Sequence, residues 1–327
     1  MTRTRRLDRV TAAVVAALCY TCFCSSSARA DDTLKVAIGQ MEAWAQQPPI
    51  LGQQAGIFKK HGLVLENFGT QGAGETLQTV ISGAADIGIG IGTVGVMRAF
   101  SKGAPVRIFG GSFTGMGDIS WYVRADSPIR RLADTTERNT IAYSTNGATS
   151  HSVVLAFAAE LGVKARPTAT GGLPATLTQV MSGQIDIGWT VAPFGLKELE
   201  DGKIRIVANG NDVASMRGQT VRVQVVNLRL LSERKDVLLR FVRAYREALD
   251  WIFTDPQAMQ LYAAQNKVPG HLIKQTAEQF QTRPGMQFDT VSGVDAIMAE
   301  GVKLKFLDAP LSKAQLGELI QIQPPGS

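Results

Sequence analysis

The segment TLQTVISGAADIG, Thr76 to Gly88, returns without a gap as TLTQVMSGQIDIG, Thr176 to Gly188, one hundred residues later. Eight of the thirteen positions are identical. Leu77, Val80 and Ile81 have the spacing of an apolar helix face, Gly83 suits a left-handed helix end, and Asp86 leads into an apolar strand. Leu177, Val180, Met181, Gly183 and Asp186 repeat that unit. Duplication, or a structural demand felt twice, therefore constrains the chain to two similar halves.

The flanks extend the correspondence. Strand-like LKVAIG (Leu34 to Gly39) precedes a helical stretch from Ile50 to Lys60, as TIAYS (Thr140 to Ser144) precedes one from Val153 to Gly162. Downstream, PVRIFGG from Pro105 matches KIRIVANG from Lys203. Alternating strands and helices predict an α/β fold with mostly parallel sheets covered on both faces. Two extended stretches, Asp118 to Arg124 and Val221 to Asn227, read as crossings between the halves. A long amphipathic helix is predicted over Glu233 to Thr254, with another starting at Asp255-Pro256. One lobe is thus split, 31–120 with 224–327, around a continuous lobe, 121–223.

Residues 1–30 have the three parts of a secretory signal peptide: a basic start, the apolar run Val10 to Phe23, and Ala28-Arg29-Ala30 before the cut. The apolar run is short of the ~20 residues that span a bilayer. Cys19, Cys22 and Cys24 all precede the cut, which excludes disulfides and thiolate chemistry from the mature chain. Five arginines and one aspartate also lie there, leaving 29 basic and 27 acidic residues from Asp31 onward. That near balance removes the basic surface a nucleic-acid partner needs, and the leader predicts export to the periplasm.

These segments, taken in order, resemble a family. AGIFKKHGLVLE (Ala55 to Glu66), SGAADIG and SGQIDIG, GAPVRIFGG, YVRADSPIRRLAD (Tyr122 to Asp134) and VVNLRLLSERKDVLLRFVRAY (Val225 to Tyr245) together look like a periplasmic substrate-binding protein of ABC importers, of the nitrate/sulfonate/taurine type. The resemblance implies a two-lobed type II periplasmic-binding-protein fold, two Rossmann-like lobes joined by two hinge crossings. It implies a monomeric receptor that closes over a small molecule and delivers it to an ABC permease and its ATPase, without a cofactor or a metal.

Ligands of open α/β sheets sit beyond the carboxyl ends of strands, where loops enter helices. That rule selects Gln40 and Trp44 after the first strand, and Gln71, Gly72 and Ala73 before the first repeat helix. It also selects Gly92 and Thr93 after the GAADIG strand, and Trp189 after its repeat. Asn146, Gly147, Thr149, Ser150 and His151 belong to STNGATSH, whose hydroxyls, amide and helix-start N–H groups suit an anionic head group. The resemblance adds that Gly147 to His151 matches the family's ligand loop. Trp121 lies on a crossing. Glu42 is a candidate partner for an amine, and Arg124, Arg217 and Arg222 for an anion.

Catalytic patterns are sparse. The three histidines, His61, His151 and His271, are far apart, and G-x-G-x-x-G at Gly90 to Gly95 lacks the later acid of a dinucleotide site. Gly69 to Thr76 has P-loop spacing but places Glu75 where a lysine is needed. The expectation is a receptor, not an enzyme, for a sulfonate- or carboxylate-like anion. The alternatives are a neutral heteroaromatic such as a thiamine pyrimidine precursor, a pyrimidine-synthase-like enzyme, and a sensory receptor.

Overall fold

The computed structural model describes residues 31–324, so the expected signal peptide lies outside the described residues. The first sheet contains β1 (Asp32–Ile38), β2 (Leu63–Gly69), β3 (Ile87–Gly92), β4 (Val106–Thr114) and β10 (Thr220–Asn227), in the order β2-β1-β3-β10-β4. The second contains β5 (Ile119–Arg124), β6 (Thr140–Tyr143), β7 (Arg166–Ala169), β8 (Gly188–Val191) and β9 (Ile204–Asn209). Its pieces β8-β5-β9 and β6-β7 meet where Ile141 bridges Ile187, giving β7-β6-β8-β5-β9. The two sheets therefore have one topology, as the sequence repeat requires. Each is mixed rather than wholly parallel, because β10 runs antiparallel to β3 and β4, and β5 to β8 and β9. Those two strands are the crossings, each entering its sheet from the other lobe.

The repeated identities have repeated duties. Helices Ala73–Ile81 and Leu173–Met181 run past Ser82 and Ser182 to Gly83 and Gly183, whose φ values of 76° and 78° favour glycine. The Asp86 carboxylate accepts the Lys35 N–H at 2.9 Å, pinning the middle of β1. Asp186 likewise holds Thr140, here the first residue of β6, accepting its N–H at 2.8 Å and its hydroxyl at 2.9 Å. Thr76 pairs with Thr70 at 2.7 Å and Thr176 with Thr170 at 2.6 Å, fixing both helix entries. At Gly88 and Gly188 a Cβ would lie 2.8 Å from Val80 and Val180, so glycine lets each helix seat on its strand.

The long helix Lys235–Thr254 buries the predicted face, Val237, Leu238, Phe241, Tyr245 and Leu249, against the first sheet. The stretch expected to be helical over 50–60 is two short helices, Pro48–Gln54 and Ile57–Lys60, because Gly56 takes φ 74° between them. A separate core around Trp121, Phe157 and Ile187 fills the second lobe. Among the described residues no helix is long and apolar enough to cross a membrane.

Candidate functional site

Residues that follow β1, β2 and β6 line a narrow cleft together with Gly90 of β3 and Trp189 and Val191 of β8, and the crossing strands add Ile119 of β5 and Arg222 of β10. Gln40, directly after β1, donates its backbone N–H to Gln46 Oε1 at 3.0 Å, while its side-chain Nε2 lies 3.5 Å from Ser144 Oγ. The other side-chain atom, Oε1, is buried without a partner. Ser144, directly after β6, donates its N–H to Ser150 Oγ at 3.0 Å, leaving the Ser150 hydroxyl proton to give. Thr149 also lines the cleft, but its hydroxyl donates to the Val221 carbonyl at 3.0 Å and so holds β10 in place. Both hydroxyl residues stand in the first turn of helix Thr149–Leu161, whose leading N–H groups have no intrahelical acceptor.

Arg222 is the one cation among the cleft-lining residues. It is 7% exposed, lies over the Phe113 ring at 4.8 Å, and donates to both Asp118 oxygens at 2.6 and 2.5 Å. Asp118 also accepts from Gln281 Nε2 at 2.8 Å. The Arg222 Nε–H is buried without a partner, as is the indole N–H of Trp189. Leaving buried donors unpaired costs about 1–3 kcal/mol each, so a ligand acceptor here is rewarded. Among the cleft-lining residues, Arg222 and Trp189 thus each keep a spare donor and Gln40 keeps a spare acceptor.

Of the predicted residues, Gln40, Ala73, Thr149, Ser150 and Trp189 line this cleft. Gly72 and Gly92 instead let the lobes touch: a Cβ would lie 2.1 Å from Ser144 Oγ at Gly72 and 2.9 Å from the Gly147 oxygen at Gly92. Gly74 completes that contact by donating its N–H to Thr145 Oγ1 at 2.9 Å. The Thr93 hydroxyl donates to the Thr220 carbonyl at 2.6 Å. Gln71 is exposed, and its N–H donates to the Glu75 carboxylate at 2.7 Å, so the P-loop-like turn is filled by its own acid. Asn146 and Gly147 face an outer groove beside Arg98.

His151 stacks on Tyr143 at 4.2 Å and accepts the Gly147 N–H on Nδ1. Burial, with Arg98 nearby, holds its pKa below the ordinary histidine value, so it is neutral at pH 7. Trp44 and Trp121 are placed in the cores, Trp44 edge-on to Tyr262 at 5.4 Å and Trp121 edge-on to Phe157 at 4.8 Å. The Trp121 indole is also committed to the Ala142 carbonyl at 2.9 Å. Glu42 is outside the lining, and burial pushes its carboxyl up. Arg124 pairs with Asp126, and Arg217 donates to the Asn211 carbonyl at 2.7 Å, both on the surface. Ile119 and Arg222 come from crossing strands, which the loop rule leaves out. The available signal was polarity, since Arg222 and Gln224 interrupt the apolar strand TVRVQVVN.

Residues 46–259 match the family described as NMT1/THI5-like. A search of curated protein sequences gave no significant match. Among solved structures, the alkanesulfonate-binding protein SsuA of Xanthomonas axonopodis pv. citri bound to MOPS superposes with a TM-score of 0.72 at 17% identity, covering 89% of this chain and 98% of that one. The periplasmic aliphatic sulphonate-binding protein SsuA of Escherichia coli gives 0.65 at 17%, covering 90% and 92%. The periplasmic nitrate-binding protein NrtA of Synechocystis PCC 6803 gives 0.65 at 13%, covering 88% and 86%. The chain has the two-lobed α/β fold of these binding proteins.

Proposed function

The chain belongs to the NMT1/THI5-like family, and from that premise we propose that it is an extracytoplasmic solute receptor of an ABC importer. It binds a small organic anion, sulfonate- or carboxylate-like, between lobes divided as 31–120 with 224–327 and 121–223. The closed form is what the permease and its ATPase receive. The observation that carries this reading is Arg222, a buried cation lining the cleft with a spare Nε–H, in a lining that also includes Trp189 with its spare indole N–H. A ligand oxyanion accepting from both, with the Ser150 hydroxyl and the start of helix Thr149–Leu161, gains charge-assisted bonds of about 1.5–3 kcal/mol each. Lobe contact excludes water and strengthens those bonds further.

A second reading keeps the fold and exchanges the anion for a neutral heteroaromatic of the pyrimidine type. It is favoured by the charge balance, since Asp118 neutralises Arg222, and by the mixed set of a spare acceptor on Gln40 and a spare donor on Trp189. An aminopyrimidine edge presents the complementary donor and acceptor. As for an enzyme acting on such a ligand, none of the three histidines lines the cleft: His61 pairs with Glu247, His271 with Glu200, and His151 stacks on Tyr143.

A thermal-shift screen of purified, refolded protein against sulfonates, carboxylates, nitrate and pyrimidines tests both readings. A ligand at 100 times its dissociation constant adds about 2.7 kcal/mol. For an anion, Arg222→Gln is expected to weaken binding by about 1.5–3 kcal/mol and Trp189 fluorescence to respond. Pyrimidine binding that survives high salt and Arg222→Gln would favour the second reading. Binding of neither class would remove both.

A further inference from the structure

A second, narrow cavity adjoins the cleft at Thr149, which lines both. Its walls come from both lobes: Ser152 on helix Thr149–Leu161, Val221 on β10, and Ile297 and Glu300 on helix Val294–Lys303. Two buried polar atoms here have no partner, Glu300 Oε1 and Ser152 Oγ, on residues 8% and 2% exposed. The other Glu300 oxygen lies 3.9 Å from the Lys303 ammonium, which is also 3.6 Å from Glu160. Among the described residues these two carboxylates share that single cation, so the cluster is one positive charge short. A buried carboxylate oxygen without a donor is costly, and a donor carrying charge relieves both deficits.

We propose that this cavity is a second binding site, for a small alkylammonium ion. One N–H donates to Glu300 Oε1 and another to Ser152 Oγ, while the alkyl group meets Ile297, Leu304 and Phe306. A hard metal ion of the calcium or magnesium kind takes roughly six or more oxygens. The cavity is mainly apolar, and the Thr93 and Thr149 hydroxyls are already bonded to the Thr220 and Val221 carbonyls. Because both lobes supply walls, occupancy ties them together and couples this site to closure of the cleft.

The test is calorimetric titration of the purified full-length protein with methylammonium chloride, against potassium chloride at matched ionic strength. Saturable binding of methylammonium is expected, weakened by about tenfold or more in Glu300→Gln and by a smaller factor in Ser152→Ala. Equal affinity in both variants overturns the proposal, as does an equal response to potassium. Crystals grown in methylammonium that show only water against Glu300 would also overturn it. Should Glu300→Gln fail to fold, Ser152→Ala removes a single oxygen and carries the test alone.

Discussion

Replacing Gly95 by alanine separates the stability of the lobes from their ability to close. Gly95 lies in helix Thr93–Ser101, where alanine favours the helix by about 0.5–1 kcal/mol. Its new Cβ, however, would stand 2.5 Å from the carbonyl oxygen of Gly147 in the other lobe. Backbone on both sides leaves no flexible side chain to yield, so the lobes must part. Overpacking of this kind costs about 1–3 kcal/mol, which falls on the closed form alone and lowers the ratio of closed to open about 5- to 150-fold. The chain from Asp31 onward has no cysteine, so labels can be placed through Ser82→Cys and Ser182→Cys, equivalent exposed positions of the two lobes. Pulsed dipolar spectroscopy on that pair should show the separation found in this structure depleted in Gly95→Ala. The urea midpoint should stay the same or rise. An unchanged distance distribution, or lost stability without opening, would refute the reasoning.

Two further outcomes are expected from the same kind of accounting. Asp186→Ala removes the acceptor of two bonds to Thr140, whereas Asp86→Ala removes one to Lys35, so urea titration should show a loss of about 1–3 kcal/mol for the first and roughly half for the second. Glu42 is pushed up by burial, which makes its ionised form a destabilising element in the folded state above the unfolded carboxyl value of about 4.3. Stability lost there should return as the pH falls through the folded value. Glu42→Gln is accordingly expected to be more stable than the parent at pH 7 and to converge with it near pH 4, as followed by denaturation across that range.

The repeat made most of the architecture legible from the residues alone. Thr76, Val80, Gly83, Asp86 and Gly88 recur because helix entry, packing, turn and strand staple are local demands, each met by a residue with the right shape or donor set. Amphipathic spacing likewise gave the long helix Lys235–Thr254, and the polar stretch after β6 gave Thr149 and Ser150. The tertiary structure alone decided which polar groups remain unspent. Thr149 and Thr93 commit their hydroxyls to β10, and Glu75 fills its own turn. Trp121 and Trp189 are paired across neighbouring strands, yet the Trp121 indole is spent on the Ala142 carbonyl while that of Trp189, which lines the cleft, has no partner. Arg222 became the central cation only when β10 crossed into the first sheet beside Asp118, 104 residues away in sequence. Periodicity reports the neighbours a residue has along one element, while a binding site is made of atoms left unpaired after distant elements have met.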